Sequence, residues 1–207
     1  MKIVTNIKRN KNNNRVSIFL DEIYFLSVSE YVLNKNNISI GMKINDFDID
    51  KINFENNLSK AKECALNLLA IRARSSSEIK NKLIKKKFSN EVIFNVIEHL
   101  KKNKLLDDYE FAKMFANHNL KNKKLGPLAA KNELFKKGID QSTIEIVVSK
   151  IYDNKTKYNI IREIFKKKNK INKKMDKKEL NKIINYIRRK GFNWEDIQPV
   201  VMKYFEI

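Results

Sequence analysis

The residues best able to do chemistry form one acidic cluster and several basic runs. Asp107, Asp108 and Glu110 stand within four positions, a density that suits metal ligation or acid–base work. Their surroundings give them another task. Asp107 precedes an apolar-periodic stretch and suits a helix N-cap, Glu110 can complete a capping box, and Leu106 and Phe111 can clasp as a hydrophobic staple. Ser75 and Glu78 repeat the box spacing, and the run Ser75-Ser76-Ser77 matches no nucleophile motif. His99 and His118 have no partner at metal spacing. Cys64, beside Ala65 and Leu68, is expected to pack in a core, where a reactive thiolate is disfavoured. The four glycines are isolated and form no phosphate-cradling loop. No catalytic residue, metal or cofactor is assigned, and an enzyme is not expected.

The basic residues carry the stronger message. The formal net charge is +20. Heavy use of Lys, Asn and Ile with little Arg fits codon bias toward A and T. Distribution argues for more, since residues 1–58, 59–106, 107–155 and 156–207 carry about +1, +8, +2 and +9. Such unevenness points to a polyanionic partner for two segments of the chain.

Four Gly and two Pro in 207 residues make a many-stranded sandwich unlike this chain. The single cysteine fits a reducing compartment. No apolar signal region opens the sequence and Ile23–Val28 is too short to span a bilayer, so a soluble cytoplasmic protein with no membrane partner is expected. Residues 1–14 read as a frayed terminus. RVSIFL and IYFLSV, split by Asp21-Glu22, read as a β-hairpin whose turn pair is not the favoured kind. A short helix follows from Ser29-Glu30, and Ile38–Ile44 is either extended or a loop.

From Asp48 the period is helical, and a register repeats. Leu83, Leu134 and Ile187 anchor three matching runs, each ending in basic residues: Lys85-Lys86-Lys87, Lys136-Lys137-Gly138 and Arg189-Lys190-Gly191. One turn earlier stand Ile79, Ala130 and Ile183. Beyond the stops come Phe88, Ile139 and Phe192, then the caps Ser89, Asp140 and Asn193, then Ile93, Ile144 and Ile197, and finally Ile97, Val148 and Val201. Gly138 and Gly191 suit left-handed helix stops, and Gly126-Pro127 suits a helix start. In the third unit, residues 166–178 read as a solvated lysine-rich connector. Pro199 requires a helix that begins at Asp196 or is kinked, and VVMKYFEI is expected to pack back onto the helices. The expected fold is mainly α: an elongated tandem array of three three-helix repeats (48–104, 105–153, 154–207) after a small β-hairpin and helix unit (1–47).

The run ALNLLAIRARSSSEIKNKL, then LLDDYEFA, then GPLAAKNELFKKGI, and more weakly IRRKGFNWEDI, resembles the RecX family, bacterial regulators of the RecA recombinase. The resemblance covers Ala65–Ile151 well, and the N-terminus is similar to an extension in longer members. It implies a protein that binds the RecA–DNA filament, suppresses ATPase, strand exchange and co-protease activity, and contacts single- and double-stranded DNA; a monomer is expected. The residues offered as filament or DNA contacts are Arg72, Arg74, Lys82, Lys86 and Lys87 in the first repeat, and Arg188, Arg189 and Lys190 in the third. The arginines stand out because the chain uses few and their forks suit phosphate. Two rivals remain: a sequence-non-specific DNA-binding repeat protein that ignores RecA, and a helical scaffold whose charge reflects codon bias.

Overall fold

The computed structural model describes residues 1–11, 14–168 and 176–205. The chain is mainly helical, with ten α-helices among the described residues and strands confined to the N-terminal segment. Two compact units form: residues 1–73 with 79–105, and residues 74–78 with 106–207.

In the first unit, β1 (Lys2–Arg9), β2 (Arg15–Leu20), β3 (Ile23–Ser29) and β4 (Lys43–Ile44) make an antiparallel sheet in the order β3-β2-β1-β4. The expected hairpin is β2–β3. Its turn residues Asp21 and Glu22 both take left-handed φ, 49° and 68°, the geometry that Asn-Gly usually supplies. Side-chain bonds support this costly pair. The Asp21 carboxylate accepts from the Ile3 N–H at 3.0 Å, and the Glu22 N–H donates to Thr5 Oγ1 at 2.8 Å. The opening residues are not a frayed terminus. β1 pairs on both sides, and Val4 is fully buried. A bulge shifts its register between Val4 and Asn6, so the strand shows no two-residue alternation to read.

Helix α1 (Glu30–Lys35) starts at Ser29, whose hydroxyl accepts from the Val32 N–H. Helix α2 (Asp46–Ile71) is held at its start by a reciprocal Asn45–Asp48 capping box, two residues ahead of the expected start. It runs about 39 Å by rise per residue. Its first half closes the sheet core of Val4, Ile18, Val28, Val32 and Ile44 with Ile52. Its second half buries Ala61 and Ala65 and packs on α4 (Asn90–Lys102). Helix α3 (Ser76–Lys85) buries Ile79 and Leu83. Cys64 is only half-buried, lining a shallow groove with Leu68, Ile71 and Phe88, because the small alanines Ala61 and Ala65 take the inward positions of α2.

In the second unit, α5 (Asp108–His118), a π-helical turn (Asn119–Lys123), α6 (Pro127–Lys136) and α7 (Gln141–Ile151) enclose Phe111, Ala116, Ala130, Leu134, Ile144 and Val148. Helices α8 (Asn154–Lys168), α9 (Lys177–Arg189) and α10 (Trp194–Phe205) enclose Ile161, Phe165, Ile187, Phe192, Ile197 and Val200. Leu120 packs against both clusters. Helix α10 begins at Trp194, not Asp196. Asn193 caps it, accepting from the Asp196 N–H at 3.0 Å while the Asp196 carboxylate accepts from the Asn193 N–H at 3.3 Å. Pro199 therefore lies inside the helix, where it has no N–H to offer the carbonyl one turn back. Val200 and Val201 face the core. The rest of VVMKYFEI that was expected to pack back, from residue 204, and most of the lysine-rich connector lie outside the described side chains.

The three helix stops match bond for bond. Phe88, Ile139 and Phe192 each donate to the anchor carbonyl of Leu83, Leu134 and Ile187, at 3.3, 3.3 and 3.4 Å. Lys87, Gly138 and Gly191 each donate to the next carbonyl, of Ile84, Phe135 and Arg188, at 2.8, 2.8 and 2.9 Å. This is the paired-bond ending that requires a left-handed residue, and φ is 63°, 71° and 93° at those three positions.

Two of these stops serve as seats for another helix start. Ser75 Oγ donates to the Lys137 carbonyl at 2.6 Å and accepts from the Glu78 N–H at 3.1 Å. At the equivalent positions one repeat later, the Gly126 N–H donates to the Lys190 carbonyl at 2.7 Å, and the Leu128 N–H to the Gly191 carbonyl at 3.1 Å. The approach is so close that a Cβ on Gly138 would lie 2.2 Å from Ser77 Oγ, and one on Gly191 2.4 Å from the Ala129 nitrogen. Glycine is needed there twice over, for its backbone angle and for its missing side chain.

Gly138→Ala and Gly191→Ala should each lower unfolding free energy by at least the roughly 1–3 kcal/mol of a forced left-handed residue, with the clash added. Lys87→Gly should stay within about 1 kcal/mol of the parent protein. Urea melts of the three variants check both expectations.

Candidate nucleic-acid interface

The acidic cluster is occupied by structural bonds. Asp107 accepts from the N–H groups of Tyr109 and Glu110 at 2.9 and 3.0 Å, and Asp108 from the Ser76 N–H at 2.8 Å. Glu110 does not close the expected box. Its carboxylate lies 3.4 Å from Lys113 Nζ instead, one turn along on an exposed face. Glu78 binds Lys137 Nζ at 2.9 Å. Lys137 Nζ also sits 5.5 Å from the Phe115 ring centre, so this lysine belongs to a seat between helices. Burial pushes the Tyr152 hydroxyl up to about 12, so it stays neutral at ordinary pH. No group of three or more His, Cys, Asp or Glu side chains gathers at metal-binding range among the described residues.

The basic candidates separate into engaged and outward-facing groups. Lys82 and Lys86 are exposed one helical turn apart, Lys82 within α3 and Lys86 just past its end, and Lys87 is exposed in its left-handed conformation. Arg72 ends α2 in extended backbone, exposed, with Nη1 donating to the Ala73 carbonyl at 2.8 Å. Arg74 is half-buried and already engaged. In the third repeat, Arg188 and Arg189 occupy the last turn of α9, both exposed and with no ion-pair partner among the described residues. Lys190 is half-buried, donating to the Lys123 carbonyl at 3.0 Å with Nζ 5.5 Å from the Tyr186 ring centre.

Around Lys190 the second unit gathers lysines that inspection of the sequence did not single out. Lys123 and Lys124 come from the turn after α5, and Lys167 and Lys168 from the end of α8. With Tyr186, Ile164, Asn122 and Leu125 they line a groove of about 700 Å³. Lys168 Nζ stands 4.4 Å from the Tyr186 ring centre. Lys124 pairs with Glu163 at 2.7 Å. The only signal in the sequence was the basic character of the loop before Gly126 and of the α8 end, two segments whose proximity no local pattern encodes.

Three family models match the chain in order: the regulatory protein RecX N-terminal domain over residues 2–45, the RecX first three-helix domain over 61–100, and the RecX second three-helix domain over 107–148. The regulatory protein RecX of Clostridioides difficile is 33% identical over 205 residues, covering 98% of this chain and 96% of its own. The chain belongs to the RecX family. The Bacillus subtilis regulatory protein RecX is 34% identical over 97% of this chain and 76% of its own. A crystal structure of regulatory protein RecX shares the fold with a TM-score of 0.78 at 21% identity, covering 97% of this chain and 98% of that one. RecX from Lactobacillus salivarius shares it with a TM-score of 0.67 at 24% identity, over 73% of this chain and 98% of that one. RecX membership gives the chain a regulatory rather than a catalytic role. No helix among the described residues is long and apolar enough to cross a membrane.

The middle RecX repeat offers an internal control in Lys136, which is exposed and paired. Lys136 binds Glu133 at 2.8 Å, and the ammonium holds that carboxyl below the usual carboxylate range. Lys136→Gln should therefore leave the affinity for an oligonucleotide within about twofold, since a surface pair contributes little and neutralises its own field. Arg188→Glu with Arg189→Glu should weaken it by about tenfold or more and flatten the salt dependence. Fluorescence anisotropy across a salt series checks the contrast.

Proposed function

We propose that this chain binds the RecA–DNA filament and inhibits the recombinase, ATPase and co-protease activities of RecA. The observation that carries the reading is the duplicated seat, which gives α6 and α9 equivalent settings within one unit. A chain that presents related helix faces at a repeating interval is suited to a partner that itself repeats. Phe135 and Arg188 hold equivalent positions in the second and third repeats, 69% exposed and exposed respectively, so one face offers an apolar contact and the next a cationic one. Two modest contacts on one chain gain by effective concentration when both are engaged. The positive charge supplies steering toward a nucleoprotein surface.

The first-repeat group Arg72, Arg74, Lys82, Lys86 and Lys87 and the third-repeat group Arg188, Arg189 and Lys190 are the proposed contacts, acting from a monomer on filament and DNA. The second reading, a sequence-non-specific DNA-binding repeat protein indifferent to RecA, draws its support from the lysine-lined groove. The two separate in one experiment.

Titrating the protein into RecA assembled on single-stranded DNA should depress ATP turnover progressively. The variant carrying Arg188→Glu and Arg189→Glu should need several-fold more protein for the same effect. Tight DNA binding with turnover untouched would leave only the second reading, and undiminished inhibition by the variant would remove those two arginines from the interface.

A further inference from the structure

The groove around Tyr186 is built from three chain segments and carries more charge than helix ends require. Lysines at the last turns of α8 and α9 are ordinary complements to the carbonyls there. Lys123 and Lys124 close the π-helical turn that carries α5 into the link to α6. Three costly features crowd into that stretch. It contains a π-helical turn over Asn119–Lys123, a form that costs backbone geometry and often marks functional sites. Lys124 then adopts a left-handed φ of 52° without being glycine. Asn119 is completely buried, and neither its Nδ2 nor its Oδ1 has a hydrogen-bond partner. The outcome of this expensive path is to set Lys123 and Lys124 on one wall of the groove.

The remaining walls centre on Tyr186. Lys168 and Lys190 both stand near the Tyr186 ring, at 4.4 and 5.5 Å from its centre, and Lys190 is further tied to the Lys123 carbonyl. Among the described residues, Glu163 is the one carboxylate paired with a groove lysine, through Lys124. Lys123 and Lys167 are exposed and make no ion pair among the described residues. Cations held at several points along a concave wall suit a ligand with several regularly spaced negative charges. A volume of about 700 Å³ in a groove open to solvent gives room for a short run of one strand. A basic groove with an aromatic ring among its lysines is also how single strands are commonly held.

We infer that this groove, lined by Lys123, Lys124, Lys167, Lys168 and Lys190 around Tyr186, binds consecutive phosphates of a single nucleic-acid strand. The site shares with the proposed function the premise that the third repeat meets nucleic acid, but it requires no recombinase. Lys123 and Lys167 are the cations free to move onto a phosphate. Glu163 holds Lys124 back and lowers the local positive potential.

The test uses the full chain, a fluorescent single-stranded oligonucleotide and no RecA. Lys123→Glu with Lys167→Glu should weaken binding by tenfold or more and reduce the slope of log affinity against log salt by about 1.4, at roughly 0.7 per single-strand phosphate contact. Glu163→Gln should tighten binding two- to threefold, a gain that misfolding does not mimic. Matching thermal melts establish that the variants are folded. Inorganic polyphosphate should compete in parent protein more strongly than polyglutamate at equal charge. Unchanged affinity and slope in the double variant, or equal competition by polyglutamate, would overturn the assignment. Loss of oligonucleotide binding with RecA inhibition retained would uphold the groove and separate it from the filament contacts.

Discussion

The second unit depends on one contact, made twice: a helix start set against a left-handed helix stop. A helix end normally leaves carbonyls without intrahelical partners. Here the carbonyls of Lys137 and Lys190, which follow α6 and α9, are used as acceptors by residues that open another helix. Each bond contributes about 1 kcal/mol by itself. The larger effect is geometric, because a Cβ on Gly191 would meet the Ala129 backbone and one on Gly138 the Ser77 side chain. Apolar burial then follows from placement, with Leu134 and Ile187 fully enclosed at matching positions.

Against that frame, the charge of +20 divides into three uses. Some lysines neutralise helix-end carbonyls, as Lys136 does beside Glu133 and as the end of α8 does. Others are structural cations in the seats, as Lys137 is between Glu78 and the Phe115 ring, and Lys190 is between the Lys123 carbonyl and the Tyr186 ring. Others, among them Lys123, Lys167, Arg188 and Arg189, are exposed and make no ion pair among the described residues. The near-neutral middle repeat holds several of the ion pairs, those of Lys113, Lys131, Lys136 and Lys137.

How much of this was readable from residues alone depended on how local each signal was. The repeat was legible because its anchors, stops and caps lie within fourteen residues of one another, and each has a residue type with one physical meaning. Gly138 and Gly191 read as helix stops for their backbone angle, but their second role as landing surfaces needed the partners Ser77 and Ala129, many residues away. Strand β1 was missed because a bulge removes its alternation and its neighbours in the sheet are distant in sequence. Glu110 misled because its spacing suited a capping box while Lys113 offered a competing partner one turn on. Pro199 argued for a helix that starts at Asp196 or is kinked, while the cap read at Asn193 is the one that the Asn193–Asp196 pair makes, with the helix starting at Trp194. The lysine groove was invisible for the same reason as the seats: its walls come from three segments joined only by packing.

One stop departs from the pattern. Lys87 stands where its counterparts are Gly138 and Gly191, in the same left-handed conformation, and among the described residues no helix start donates to the carbonyl of Lys86 before it. A Cβ at this position would obstruct the approach that the glycines permit. At the opposite end of the series, the start of α9 satisfies itself, with the Asp176 carboxylate accepting from the Glu179 N–H at 2.6 Å. Repeats that stack by a head-to-tail contact are always at risk of stacking one molecule on the next into an open fibre. Lys87 fills at this stop the space that Gly138 and Gly191 leave open, which disfavours a seat for a second copy there.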